Sequence, residues 1–347
     1  MNAKPDNPGP GLAVARCLRG LPDFAGRLIG LGYDALDPGL HHGLLDAAYL
    51  LPYPTSGADA QFERLTGVRE NERIDVVIPC LDAELTNFAH NETRLLSLGM
   101  RTLAPTREQI KGRAKDNLPA LCRRLSIAVP DTRPVTDPSF FDRCTDDGWT
   151  YPLVVKGIYY DAAIVHDPAE AKAAFHRIAD QWGYPVLAQE FVPGYEVNLV
   201  AVGDGRGGMV SPVMMRKKAL TEKGKAWAGI AIDDDDLERL ASRIVRALNW
   251  RGPLEVEALR GDDGLLYLIE VNPRFPAWVY LSHGVGRNLP AMVLRLLAGE
   301  TAFDPPPPRP GTLFIRYAEE VIVPLGQFEA ILIDGAVRTG SGNRKDP

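Results

Sequence analysis

Gly252-Pro-Leu-Glu-Val-Glu-Ala-Leu-Arg-Gly-Asp-Asp-Gly-Leu-Leu-Tyr-Leu-Ile-Glu-Val-Asn-Pro-Arg274 is the stretch on which the fold turns. Two apolar runs flank Asp263-Gly264, a dipeptide that favours a two-residue type I′ turn. With those residues as the turn, Asp262 faces Leu265, Glu257 faces Glu270, and Glu255 faces Asn272. Facing residues share a side of the sheet, as do residues two apart along a strand. The four oxygen-bearing side chains therefore gather on one patch. Like charges set opposite each other are destabilising, which requires something positive between them. Hard oxygen donors without Cys or His suit Mg²⁺ or Mn²⁺, held by one or two carboxylates together with substrate phosphates. The plainer alternative is the solvent-facing side of an antiparallel hairpin. Leu259 and Leu268 on the same face, and Asn-Pro-Arg directly after, favour the metal reading.

Working outward, 347 residues suffice for two or three domains with a large core. A net charge of -6 gives no basic excess for nucleic acid, and no apolar run is long enough for a membrane span. The N-terminus lacks the apolar core of a signal peptide. Cys17, Cys80, Cys122 and Cys144 lie without metal-ligand spacing, so buried, reduced thiols in a cytoplasmic protein are expected. His41-His42 reads as a polar loop pair.

Residues 1–105 alternate compact apolar runs (Arg27–Leu31, Ala48–Leu51, Asp75–Pro79) with helical periodicity over Gly11–Leu18, Ala60–Val68 and Ala83–Leu98. This predicts a βα layered domain, although Met1–Pro8 makes a poor first strand; that strand is degenerate or the native start lies upstream. Residues 106–125 read as helix in two pieces. Leu153–Lys156 and Val186–Val192 read as strands around an amphipathic helix at Pro168–Trp182, which has Pro in its first turn. Val197–Val202 and Met209–Met214 flank a glycine turn and suggest a hairpin. Met214–Trp227 reads as a basic loop carrying Arg216 and Lys217, with Lys223 and Lys225 on a possible lid. Asp233–Asp236 reads as a charged start to the helix 234–249. Pro305–Pro308 is a stiff spacer, residues 312–337 hold two short strand candidates, and the last ten look disordered.

A second set of residues suits a nucleotide. Lys156 ends a strand before Gly157-Ile-Tyr-Tyr-Asp-Ala-Ala, and Gln189-Glu-Phe-Val-Pro-Gly-Tyr-Glu196 ends another. An extended segment can meet adenine through backbone N–H and C=O while a carboxylate accepts from ribose. No Gly-x-x-x-x-Gly-Lys-Ser/Thr occurs, which excludes a P-loop.

In this order the motifs resemble the ATP-grasp superfamily, with relatives of the biotin carboxylase and carbamoyl-phosphate synthase large-subunit kind. The resemblance implies an α/β fold: a Rossmann-like domain (1–105), then an ATP-grasp domain (106–300) with a lid subdomain (about 130–190) and a metal-hairpin subdomain (about 191–300). A C-terminal strand extension and tail (301–347) would follow. By the same resemblance Lys115 and Lys156 match the two ATP lysines, Glu190, Phe191 and Val192 the adenine hinge, and Glu196 the ribose carboxylate. Glu257, Glu270 and Asn272 match the ligands of Mg²⁺ (or Mn²⁺), and Arg274 closes the Glu-x-Asn-Pro-Arg ending. Arg274 and Lys217 would steady the transferring phosphoryl group, unless Arg274 merely pairs with a neighbouring carboxylate. The flap after Lys156, with one glycine and two tyrosines, departs from the usual glycine-rich pattern.

The function so implied is an ATP-dependent carboxylate–amine ligase forming an acyl phosphate, with a small-molecule or peptide carboxylate and an amine as substrates. No nucleic-acid or membrane partner is expected, and a homodimer is possible. Two alternatives stay open within the resemblance: bicarbonate activation, for which no Met-Lys-Met biotin attachment motif is present, and a non-catalytic ATP-binding module. A nicotinamide dehydrogenase, prompted by Gly9-Pro-Gly11, lacks the preceding strand. A catalytic role for His283 is the weakest of the site expectations.

Overall fold

The computed structural model describes residues 8–114, 117–157, 161–221 and 224–338 of a mixed α/β protein. It divides into two compact units: Met1–Arg113, Val197–Val256 and Val271–Pro347 form the larger; Ala114–Glu196 and Glu257–Glu270 form the smaller.

The larger unit opens with α1 (Gly11–Arg19), β1 (Ile29–Gly32), β2 (Ala47–Leu50), α2 (Ala58–Glu72), α3 (Asp82–Ser97) and α4 (Arg107–Gly112). β1 and β2 pair in parallel, Ile29 beside Ala47. The third expected strand, Asp75–Pro79, makes only a one-residue parallel bridge from Val76 to Arg101. Pro79 has no N–H to donate and α3 begins three residues on, so the pairing cannot lengthen.

The smaller unit carries α5 (Leu118–Arg124), β3 (Thr132–Val135), α6 (Phe140–Arg143), β4 (Leu153–Lys156), β5 (Ala162–Val165), α7 (Pro168–Trp182) and β6 (Val186–Glu190). Its four-stranded sheet runs β3-β6-β4-β5, antiparallel throughout. The apolar face of α7 (Phe175, Ile178) packs with Val155, Val186 and Ala188 into one core. Asp167 caps α7 by accepting from the Glu170 N–H at 2.9 Å, a contact of about 1 kcal/mol. The strand expected to run to Val192 stops at Glu190.

From β7 (Gly194–Asp204) the chain builds β8 (Met209–Leu220), β9 (Ala226–Ile232), α8 (Asp235–Leu248), β10 (Arg251–Gly261) and β11 (Leu266–Asn272). Then come α9 (Tyr280–Gly284), α10 (Leu289–Leu297), β12 (Leu313–Ile315), α11 (Leu325–Asp334) and β13 (Ala336–Arg338). The six-stranded sheet is ordered β11-β10-β7-β8-β9-β12. Within the larger unit, Val14 and Leu18 of α1 share a core with Val200, Val213, Met215, Phe275 and Trp278. The four-aspartate run starts α8 as expected, Asp234 accepting from the Leu237 N–H. The Gln109 amide donates to the Asn249 carbonyl at the other end of α8.

Two expectations for the C-terminal half change. The basic run after Met214 is not a loop: β8 extends through Arg216 and Lys217 to Leu220, because β9 pairs with it as far as Ala226. The tail holds both short strands, but α11 lies between them, and β13 returns to pair antiparallel with β2. The last nine residues, and the lid lysine Lys223, fall outside the described residues.

Glu72 ties this return in place. Its side chain is 1% exposed and pairs with Arg27 at 2.6 Å and with Arg338 of β13 at 3.3 Å, while Tyr49 of β2 donates its hydroxyl at 2.5 Å. Burial alone would raise the Glu72 pKa; the Tyr49 hydrogen bond and the charges of Arg27 and Arg338 outweigh it and hold the carboxyl below its ordinary value. A depressed folded pKa stabilises above the unfolded pKa and loses that contribution as pH falls through the folded one. Glu72→Gln should therefore lower the melting temperature by a few degrees at neutral pH. The gap from wild type should close below about pH 4. A gap of the same size at neutral and at strongly acid pH would contradict this.

Candidate functional site

The reversal in the quoted stretch is not the two-residue turn expected. The Gly264 N–H donates to the Gly261 carbonyl and the Gly261 N–H to the Leu265 carbonyl, both at 2.9 Å. Asp262, Asp263 and Gly264 thus form a three-residue loop, a type I turn followed by a residue in the left-handed region, and Gly264 has φ +83°. Asp263 completes the loop by accepting from the Leu265 N–H and the Tyr267 hydroxyl. These contacts hold its carboxyl below its ordinary pKa.

The pairing shifts with the loop. Gly261, not Asp262, now faces Leu265, and this register carried unbroken along both strands would set Glu257 opposite Ile269 and Glu255 opposite Val271. Asn272 would then point away from Glu255. Instead, Asn272 Nδ2 donates to Glu255 Oε2 at 3.1 Å, so these two side chains share a face. An odd slip between loop and root is what a β-bulge produces. The expected neighbourhood of Glu255 and Asn272 is thus present, although the turn that was to produce it is not. Glu257 and Glu270 are half-buried.

At the root of the hairpin the larger unit holds a buried polar cluster. Glu255 Oε1 accepts from Asn198 Nδ2 at 2.9 Å and from Trp278 Nε1 at 2.6 Å, in addition to the Asn272 bond on Oε2. Glu255, Asn198, Asn272 and Trp278 are all buried. A buried carboxylate persists when donors surround it. The consequence for Asn272 is orientation: with its nitrogen turned to Glu255, the atom it presents elsewhere is an oxygen. That is the donor a hard cation takes, and it matches the carboxylate oxygens of Glu257 and Glu270 in kind. Among the described residues there is no cluster of three His, Cys, Asp or Glu side chains that could hold a metal, so the amide oxygen would be needed to complete such a set.

In the smaller unit, Lys156 ends β4 and donates to Gln189 Oε1 at 3.0 Å, and Gln189 in turn donates to Thr132 Oγ1 at 2.7 Å. Glu190 ends β6, where its N–H donates to the Asp131 carbonyl at 2.8 Å. Phe191 and Val192 follow outside any strand. Among the described residues neither makes a backbone hydrogen bond, so their N–H and C=O groups suit an external partner. Glu196 lies half-buried on β7. Lys115, and residues 158–160 of the flap, fall outside the described residues.

Arg274 and Lys217 belong to the larger unit. The Arg274 Nε donates to Asp82 Oδ2 at 2.5 Å, and Arg113 also reaches Asp82 at 3.5 Å. The plainer option for Arg274, pairing with a nearby carboxylate, is thus realised. Lys217 faces Gly229 across β8 and β9. His283 stacks on Tyr280 and its Nδ1 lies 3.3 Å from Asn288 Nδ2, a packing role. All four cysteines are free and buried. Burial pushes the Cys17 and Cys80 thiols up to about 12 and Cys122 to about 11, so none of these three is a ready nucleophile.

Sequence reasoning missed Asn198 and Trp278 as the partners of Glu255, and Asp82 as the partner of Arg274. The three expected metal ligands carry a spacing signal, whereas these partners lie 57, 23 and 192 residues away. Replacing Glu255 with Leu strips the acceptor from three buried donors and should cost about 3 kcal/mol or more. Glu255→Gln, which keeps one acceptor oxygen, should cost less. Thermal melts of both variants test this; a Leu variant as stable as wild type would contradict it.

Residues 184–320 match the family described as ATP-grasp in the biosynthetic pathway with Ter operon. Among curated proteins, the carbamoyl phosphate synthase large chain of Mesorhizobium japonicum is 28% identical over 165 residues, 42% of this chain and 14% of that protein. The arginine-specific large chain of Geobacillus stearothermophilus is 26% identical over 167 residues, 44% of this chain and 16% of that one. The chain thus spans about one sixth or less of the length of these relatives. Among solved structures, biotin carboxylase from Campylobacter jejuni, in a complex described as β-γ-ATP, aligns over 86% of this chain and 71% of its own, with TM-score 0.66 and 14% identity. The biotin carboxylase domain of Hydrogenobacter thermophilus 2-oxoglutarate carboxylase, with MgADP, ADP and bicarbonate, aligns over 86% and 69%, TM-score 0.65, 15% identity. An L-amino acid ligase from Bacillus licheniformis aligns over 82% and 71%, TM-score 0.60, 17% identity. The chain accordingly has the fold of the biotin carboxylases and of an L-amino acid ligase, and its residues 184–320 carry an ATP-grasp match.

Proposed function

We propose that the chain is an ATP- and Mg²⁺-dependent carboxylate–amine ligase working through an acyl phosphate. A substrate carboxylate oxygen attacks the γ-phosphorus and the bond to the β-phosphate oxygen breaks, releasing ADP. The amine nitrogen then attacks the acyl carbon, phosphate leaves, and the nitrogen gives up a proton. The observation that carries this reading is the buried Glu255 carboxylate, which takes the Asn272 nitrogen as a donor, so that the amide's other polar atom is an oxygen.

Each residue has a role set by its chemistry. Phe191 and Val192 would meet adenine through backbone groups, with Glu190 and Glu196 as carboxylates for its amino group or the ribose hydroxyls. Lys156, restrained by Gln189, and Lys115 would cradle phosphate oxygens. Glu257, Glu270 and Asn272 would hold Mg²⁺ (or Mn²⁺), which supplies charge neutralisation on the phosphates. Arg274 and Lys217 would stabilise the charge on the transferring phosphoryl group; for Arg274 this requires exchanging Asp82 for phosphate. A closely related reading, bicarbonate as the activated carboxylate, is favoured by the likeness to a carboxylase domain solved with MgADP and bicarbonate.

Incubation with ATP, Mg²⁺, hydroxylamine and a panel of amino acids and small carboxylates should yield a hydroxamate together with ADP. Bicarbonate-stimulated ADP formation without hydroxamate would select the second reading. ADP formation from a ligated carboxylate with no trappable acyl group would contradict the acyl phosphate. Glu270→Gln should reduce kcat by about 100-fold or more with an unchanged melting temperature; full activity in that variant would remove Glu270 from the metal set.

A further inference from the structure

A cleft of about 400 Å³ lies within the larger unit, walled by Asp204, Ser211, Pro212, Glu238, Arg287 and Phe303 among others. None of these residues has a place in the phosphoryl-transfer reading. Ser211 and Lys217 share β8 but stand six residues apart, roughly 20 Å of strand.

Ser211 is the unusual member. Val200 faces Val213 while Val202 faces Val210, so β8 carries one residue more than β7 at this point. Ser211 takes up the bulge at φ +51°, a left-handed conformation that side chains other than those of Asn, Asp and Gly seldom adopt. It is 4% exposed, and its Oγ has no hydrogen-bond partner among the described residues. A strained backbone and an unsatisfied buried hydroxyl at one residue point to a use for that residue.

Arg287 is fixed on the same cleft. Its Nε donates to the Pro306 carbonyl at 3.0 Å and its Nη1 to the Pro212 carbonyl at 2.5 Å. A guanidinium has five N–H donors in a planar fork, and two are used here. Burial lowers the Arg287 pKa, while the charges of Glu238 and Asp233 raise it. Yet among the described residues neither acid closes to an ion pair with Arg287. Asp204 Oδ1 accepts the Arg206 and Gly208 N–H groups. The cleft thus sets a cation and two anions on its wall without neutralising them against one another.

We propose that this cleft binds a small zwitterion of the α-amino acid class, its carboxylate on Arg287, its ammonium on Glu238 and Asp204, and a further polar atom on Ser211 Oγ. The ligand is an effector rather than a reactant, and its binding does not depend on the ligase reading.

Calorimetric titration of the full chain with the common α-amino acids tests this. At least one should bind at millimolar concentration or below, and its decarboxylated amine and deaminated acid should each bind about tenfold more weakly or worse. Glu238→Gln and Arg287→Lys should weaken binding about tenfold or more. Ser211→Gly should weaken it too while melting no lower than wild type, because glycine occupies φ +51° without strain. That variant separates lost binding from lost folding. Absence of binding by every amino acid at millimolar concentration would overturn the proposal. So would binding that all three variants leave unchanged, since it would lie elsewhere.

Discussion

The constraint on which the rest of the site depends is the buried carboxylate of Glu255. A charge removed from water is tolerated only when its oxygens are filled with donors, and losing one partner leaves the remainder uncompensated. Asn198 on β7, Asn272 at the end of β11 and Trp278 just beyond it supply those donors. One side chain thereby fixes two neighbouring strands and the segment that follows them. It also fixes which atom of the Asn272 amide turns toward Glu255, a choice that local sequence does not make.

The hairpin brings Glu255 and Asn272 together around a turn other than the expected one. Asp-Gly signals reversal but not its length. Here Asp262 is drawn into the loop because Gly264 supplies the positive φ at the third loop position rather than the second. A one-residue change moves every side chain to the opposite face, yet Glu255 and Asn272 still meet at the root of the hairpin. Periodicity of two finds which residues share a face; it does not find the length of the loop that joins the strands. The grouping of Glu255 with Asn272 was legible, and the loop that produces it was not.

Elsewhere legibility follows the range of the interaction. Helices with strong local signals, such as α7 behind Asp167-Pro168 and α8 behind its aspartates, begin where capping chemistry puts them. The β7–β8 hairpin was readable from its glycines. The extension of β8 through its cationic run was not, because the pairing strand β9 overrides the polarity of Arg216 and Lys217. Nor was the return of β13 to β2, which depends on Glu72, Arg27 and Arg338 meeting from distant parts of the chain. In the site, Lys156 was visible as a strand-end lysine, whereas its restraint by Gln189 and Thr132 comes from sheet register.

The most direct measurement is anomalous scattering from crystals grown with Mn²⁺ and a non-hydrolysable ATP analogue. A manganese peak is expected beside the nucleotide phosphates, within coordination distance of Glu257, Glu270 and the Asn272 Oδ1. Nucleotide bound with manganese on other side chains, or with Asn272 turned so that its nitrogen faces the ion, would contradict it.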